Sequence, residues 1–310
     1  MIKDFLISFY KHLCEDYRHR KYLPVVAFVV LQILLIYSID FYAWKKNLNF
    51  PPILNALLLF GFYSLAYYPV VLWVNYSEKK NLKLPSRFWI ISLMVIAFFA
   101  LTSSVNLYYF LDFLKQSDYH YWLRKVSNNI TPFLVFLLLF IFTWKKFFKN
   151  SSDGFLWTGK NFTWFKIIWP ILVIIVPLII FGSQLGGFQE EYPSFKISNA
   201  HAGAYSPLFQ LLTFELAYSL DFYTVELVFR GALVLGLISV IGKNALLPMA
   251  SLYVFIHYGK PPAETISSFF GGYLLGYMAI YSRSVLAGTI LHVFLALMME
   301  VTAIILFVRV

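Results

Sequence analysis

Residues 207–241 read PLFQLLTFELAYSLDFYTVELVFRGALVLGLISVI, with four ionisable side chains at Glu215, Asp221, Glu226 and Arg230. Apolar residues occupy every face of this stretch. They form neither the single stripe of a soluble surface helix nor the alternation of a membrane β-strand. In lipid such a segment is stable only as helix, because hydrocarbon offers no partner to backbone N–H and C=O groups. At about 1.5 Å per residue it is too long for one straight crossing. The sequence therefore predicts two helical pieces, about 207–220 and 221–241.

The rest of the chain has the same character. Of 310 residues 60% are hydrophobic and 13% charged, against about a quarter charged in a soluble domain. The fold class expected is all-α: a polytopic helical membrane protein of eight or nine transmembrane helices. Spans are expected at about 22–43, 53–74, 88–111, 131–144, 165–182, 221–241, 265–282 and 285–308, with 245–258 as the ninth if it crosses. Segment 245–258 is short enough for a buried or re-entrant helix. Pro170 and Pro177 fall inside a span, where neighbouring helices satisfy the freed carbonyls. The polar stretch 145–164 is the expected boundary between N-terminal helices (22–150) and a C-terminal domain (165–310). Residues 1–21 lack the pattern of a cleavable signal and read as an interfacial amphipathic segment, with Phe5, Leu6 and Phe9 at helical spacing.

The net charge of +10 does not form one patch; Lys and Arg flank the apolar segments. That distribution points to the lipid bilayer as partner, not to nucleic acid, and favours a cytoplasmic N-terminus. Cys14 is the single cysteine, so no intrachain disulfide is expected. No repeated halves of the transporter kind are evident.

An ionisable group inside a membrane helix is a functional candidate because its burial is costly. Three clusters qualify. In VELVFRG (225–231) Glu226 and Arg230 are four apart and share a helix face, so the guanidinium can pair with the carboxylate and fix its rotamer. Glu215 lies about three turns earlier, on a similar face if the helix is continuous. In YVFIHYGKPPAE (253–264) His257 ends an apolar helix that Gly259 and Pro261-Pro262 break. In HVFLA (292–296) His292 stands inside the last span and needs a partner from another helix. Each cluster alone is compatible with a structural role. Together they supply a carboxylate and a histidine that can polarise one water, and a second histidine for an oxyanion. Two histidines and a glutamate are also a common zinc set, so a zinc-type metal at Glu226, His257 and His292 stays open, although no HExxH motif is present.

These stretches resemble the CAAX prenyl protease and bacteriocin-processing (CPBP, Abi) family of intramembrane proteases. That family carries EExxxR, FxxxH and a late HxxxN-type motif on successive membrane helices. The resemblance spans about 205–305. It implies an intramembrane endopeptidase fold in a membrane such as the bacterial inner (plasma) membrane, acting without a cofactor on a peptide or protein substrate. Carried over, Glu226 is the second glutamate of the pair, Arg230 its partner, His257 the middle histidine and His292 the last one. The glutamate pair and middle histidine would activate water, and the last motif would stabilise the oxyanion.

The chain departs from the pattern at Val225, where the first glutamate is expected, at Tyr253 in place of phenylalanine, and at Ala296 in place of the asparagine-type residue. Glu264, folded back by the Gly259–Pro262 turn, or Glu215 can supply the missing carboxylate. Two functions remain open. One is a peptidase using Glu226, His257 and His292. The other is a catalytically silent member acting as a scaffold, immunity or partner-binding subunit in the membrane.

Overall fold

A computed structural model describes residues 2–48, 50–78, 83–105, 108, 111–147 and 165–307. Among them every regular element is helical: α1 (Ile2–Arg18), α2 (Tyr22–Ser38), α3 (Phe41–Asn47), α4 (Pro52–Ser77), α5 (Ser86–Thr102), α6 (Asp112–Lys115), α7 (His120–Phe147), α8 (Phe165–Gly182), α9 (Phe188–Glu191), α10 (Pro207–Glu226), α11 (Ile238–Ile241), α12 (Leu246–Phe255), α13 (Pro262–Ser282) and α14 (Leu286–Phe307). The polytopic all-α expectation is met. Most of the boundary expected at 145–164 lies outside the described residues.

By length and composition five described helical stretches can cross a membrane, or six if α1 and α2, bent 90° to each other, form one span. That is fewer than the eight or nine read from sequence, for local reasons. The expected first span stops at Ser38 because Asp40, in the left-handed region at φ 42°, turns the chain and caps α3 by accepting the Ala43 N–H. Helix α5 has only 17 residues. Helix α12 has 10, all buried, so the ambiguous segment 245–258 is a short core helix. Helix α13 is long enough but carries Glu264, Thr265, Ser267 and Ser268 in its first turns.

The break expected near residue 220 is absent. Ser206 caps α10 by accepting the Phe209 N–H, and Pro207 opens the helix. The helix then runs unbroken to Glu226. The irregularity comes later, where Leu227–Val234 widen into π-helical turns and Leu235–Leu237 tighten into a 3-10 turn. Wide turns of this kind recur at functional sites, and this one carries Arg230.

Stretch 207–255 forms the centre of the bundle, with 72% of its most apolar window buried, against 22% for α8. Helix α12 packs on α13, α4 and α2; α10 packs on α7 and α14; and α14 packs on α8. Helices α10, α12 and α14 thus bring the three sequence clusters to one place.

Candidate active site

Position 226 is the hub. Glu226 and Arg230 are both fully buried. Arg230 Nη1 lies 2.9 Å from Glu226 Oε1, and the same oxygen is 2.9 Å from His292 Nδ1. The arginine contact is an ion pair rather than an aligned hydrogen bond, since no guanidinium nitrogen has a hydrogen-bond partner among the described residues. The guanidinium carbon instead lies 4.5 Å from the centre of the Tyr253 ring, a cation–π contact.

The hydrogen-bond partners fix the histidine tautomers. Glu226 is an acceptor, so His292 Nδ1 carries the hydrogen. In the neutral ring Nε2 then accepts from the Tyr253 hydroxyl, 3.2 Å away. His257 Nδ1 is 2.6 Å from the Tyr253 carbonyl oxygen. A carbonyl only accepts, so this nitrogen also carries its hydrogen and Nε2 holds the lone pair. Gly259 makes this turn possible: its φ is +86°, and a Cβ there would come 2.7 Å from the Tyr42 ring.

His257 and His292 border one cavity of about 230 Å³, together with Tyr253, Val225 and Ala296. Asp221, Glu264 and Lys260 line it as well. Glu264 is engaged: it accepts from the Tyr192 hydroxyl at 3.2 Å, and Lys260 Nζ lies 3.8 Å from its other oxygen. Glu226 and Arg230 stand behind the cavity and do not line it. Glu215 lies outside it, with both carboxylate oxygens buried and without hydrogen-bond partners among the described residues. Of the two carboxylates that sequence offered in place of Val225, Glu264 reaches the cavity and Glu215 does not.

Three features were not singled out from sequence. Asp221 lines the cavity one helical turn before Val225, and i/i+4 spacing was the available signal. The Tyr253 hydroxyl joins the network at a position where only the aromatic ring was expected. The 183–206 loop also folds over the site. Tyr192 is buried, and Glu300 accepts the Ser194 N–H with both oxygens at 3.0 and 2.9 Å. Beside this site an apolar groove of about 400 Å³ runs between α8, α13 and α14 and shares Glu264, Leu295 and Met299 with the cavity.

The residues do not form a metal cage. Glu226 Oε1 is shared by Arg230 and His292, and His257 Nδ1 is held by backbone. Among the described residues no group of three or more His, Cys, Asp and Glu side chains is arranged for a metal ion.

Gly288, in the first turn of α14, explains how Glu226 fits. A Cβ at this position would collide with Glu226 Oε2, so only glycine lets the carboxylate approach the positive end of that helix. Gly288→Ala is expected to destabilise the protein by about 1–3 kcal/mol through overpacking and to loosen His292. Thermal unfolding in detergent against wild type checks this; an unchanged midpoint would refute the close approach.

No curated protein and no solved structure matches the chain. Residues 206–298, which contain Glu226, Arg230, His257 and His292, match the family described as Rce1-like, type II CAAX prenyl endopeptidase Rce1-like, so this part of the membrane protein is similar to the CAAX-protease kind that its motifs resemble.

Proposed function

We propose that this CAAX-protease-family membrane protein is an intramembrane endopeptidase that hydrolyses a peptide amide at the His257 cavity. The observation that carries the reading is the tautomer of His257. Its Nδ1–H is spent on the Tyr253 carbonyl, which leaves an Nε2 lone pair for a cavity that Tyr253 and His292 also line. Water gives a proton to His257 Nε2 as its oxygen attacks the amide carbon. The carbonyl π pair moves to oxygen, to which the Tyr253 hydroxyl donates once its single hydrogen turns away from His292 Nε2. The proton then passes to the amide nitrogen as the C–N bond breaks. Glu226 and Arg230 act as positioning residues for His292. The neighbouring apolar groove supports a substrate with a long apolar portion. No metal or cofactor takes part in this reading. Loop charges support a cytoplasmic N-terminus, and we place the protein in a bacterial inner membrane.

The test uses purified protein in lipid nanodiscs and quenched fluorescent peptides, with and without an isoprenylated cysteine near the C-terminus. Wild type is expected to cleave. His257→Ala is expected to lose at least about 10²-fold in rate, and Glu226→Ala to fall with it. Unchanged cleavage by both variants would sink the peptidase reading. A second reading, the silent family member, is favoured by Val225 and Ala296, which present only apolar groups to the cavity. An inactive wild type with retained fold would select it.

A further inference from the structure

Val225 leaves the cavity without the carboxylate expected there, yet two other carboxylates line it. They differ in availability. Glu264 is bound by Tyr192 and Lys260. Asp221 makes no hydrogen bond among the described residues, and it lines the cavity together with Lys260, three residues beyond His257. Asp221 and Val225 are four apart on α10 and so lie on one face. Their offset is about 6 Å along the axis, and the same cavity reaches both. A carboxylate in a largely apolar wall needs a hydrogen-bond donor; the cavity of about 230 Å³ is roomy enough to supply one as water, with His257, Lys260 and Glu264 as its further polar partners.

We infer that Asp221 is a catalytic residue that has taken over the task of the glutamate absent at position 225: it holds the attacking water jointly with His257. This rests on the peptidase reading above. In the step, one water hydrogen points to an Asp221 oxygen and the other to His257 Nε2, which orients the oxygen lone pair toward the amide carbon. When the proton reaches Nε2, the Asp221 carboxylate stabilises the imidazolium, which later returns that proton to the leaving nitrogen. Asp221 keeps its charge throughout, and no further reactant is needed. The shift of one turn and the loss of one methylene relative to a glutamate at 225 move the water toward the N-terminal end of α10.

The experiment compares wild type, Asp221→Asn, Val225→Glu, the double variant and Glu264→Gln, using the same quenched isoprenylated peptide in nanodiscs. Each is first checked for a monodisperse elution profile. Asp221→Asn is expected to lower kcat by at least about 10²-fold with little change in KM. Adding Val225→Glu to it is expected to recover at least tenfold, which a merely structural role would not do. Glu264→Gln is expected to lose much less.

An Asp221→Asn rate within threefold of wild type overturns the inference and leaves the peptidase reading standing. So does a loss that Val225→Glu does not repair, or a loss confined to Glu264→Gln. Activity appearing only in Val225→Glu overturns it in favour of the silent reading. Inactivity of all five proteins removes the peptidase reading, and the inference with it.

Discussion

Replacing Arg230 by methionine is expected to cost about 3–5 kcal/mol of stability, the penalty for leaving a buried partner charge uncompensated. Glu226 has no exposure to water, and its Oε2 already lacks a hydrogen-bond partner among the described residues. Removing the cation leaves the carboxylate with the neutral His292 as its hydrogen-bond donor among the described residues, through the one shared oxygen. The Tyr253 ring loses its cation at the same time. Glu226→Gln combined with Arg230→Met is expected to recover much of the loss, because a matched neutral pair does not strand a charge. Unfolding in mixed micelles titrated with an anionic detergent gives both numbers. A single-variant cost under about 1 kcal/mol would mean that Glu226 is hydrated or protonated, and the hub described here would be wrong. The single variant is also expected to lose cleavage through disorder of His292, so activity and stability should fall together, unlike in Asp221→Asn.

The helical membrane class was legible because it depends on composition and periodicity, which lipid imposes directly on sequence. The C-terminal end of helix α8 was read to the residue, since its apolar run gives way there to Gly182, Ser183 and Gln184. The errors lie where a single side chain decides. Asp40 ends the first long helix by capping the next one, a choice that the apolar run before it does not announce. Residues 207–241 are too long for one straight crossing, but length does not say where the helix changes, and the irregularity falls after Glu226 and not near residue 220. The π-helical turns after Glu226 have no clear sequence signal beyond Gly231 and Gly236.

The meeting of Glu226 with His292 was anticipated only as a need for some partner, because motif order says nothing of distance. Asp221 was overlooked for a different reason: a motif fixes where a glutamate is expected, whereas a cavity accepts a carboxylate from any turn that faces it.

Lys21→Met is expected to be comparably damaging, at a polar centre remote from the His257 cavity. Lys21 is 3% exposed, and its ammonium donates to Asp16 Oδ1 at 2.8 Å, to Asn244 Oδ1 at 2.9 Å and to Glu78 Oε1. Asn244 in turn donates to Glu78 Oε2 at 2.9 Å, and the Tyr273 hydroxyl donates to Asp16 Oδ2 at 2.7 Å. One ammonium therefore ties together the bend between α1 and α2, the end of α4, the turn before α12, and α13. Without it Asp16 is left with the Tyr273 hydroxyl and with His12, whose ring nitrogens are buried and have no hydrogen-bond partner among the described residues, and Glu78 loses its bond to the buried ammonium. The expected cost is again about 3–5 kcal/mol. Asp16→Asn added to Lys21→Met should return part of it, whereas Lys11→Met on the exposed face of α1 should stay within about 0.5 kcal/mol of wild type. The same detergent titration measures all three. Equal, small effects at Lys21 and Lys11 would show that α1 is held by its apolar face, with Phe5 packed on Tyr277 and Tyr281, and not by the buried ammonium. A large effect at Lys21 alone assigns the anchoring of the N-terminal helix to charge, which explains how a segment outside the Rce1-like region is fixed against α12 and α13, the helices that flank His257.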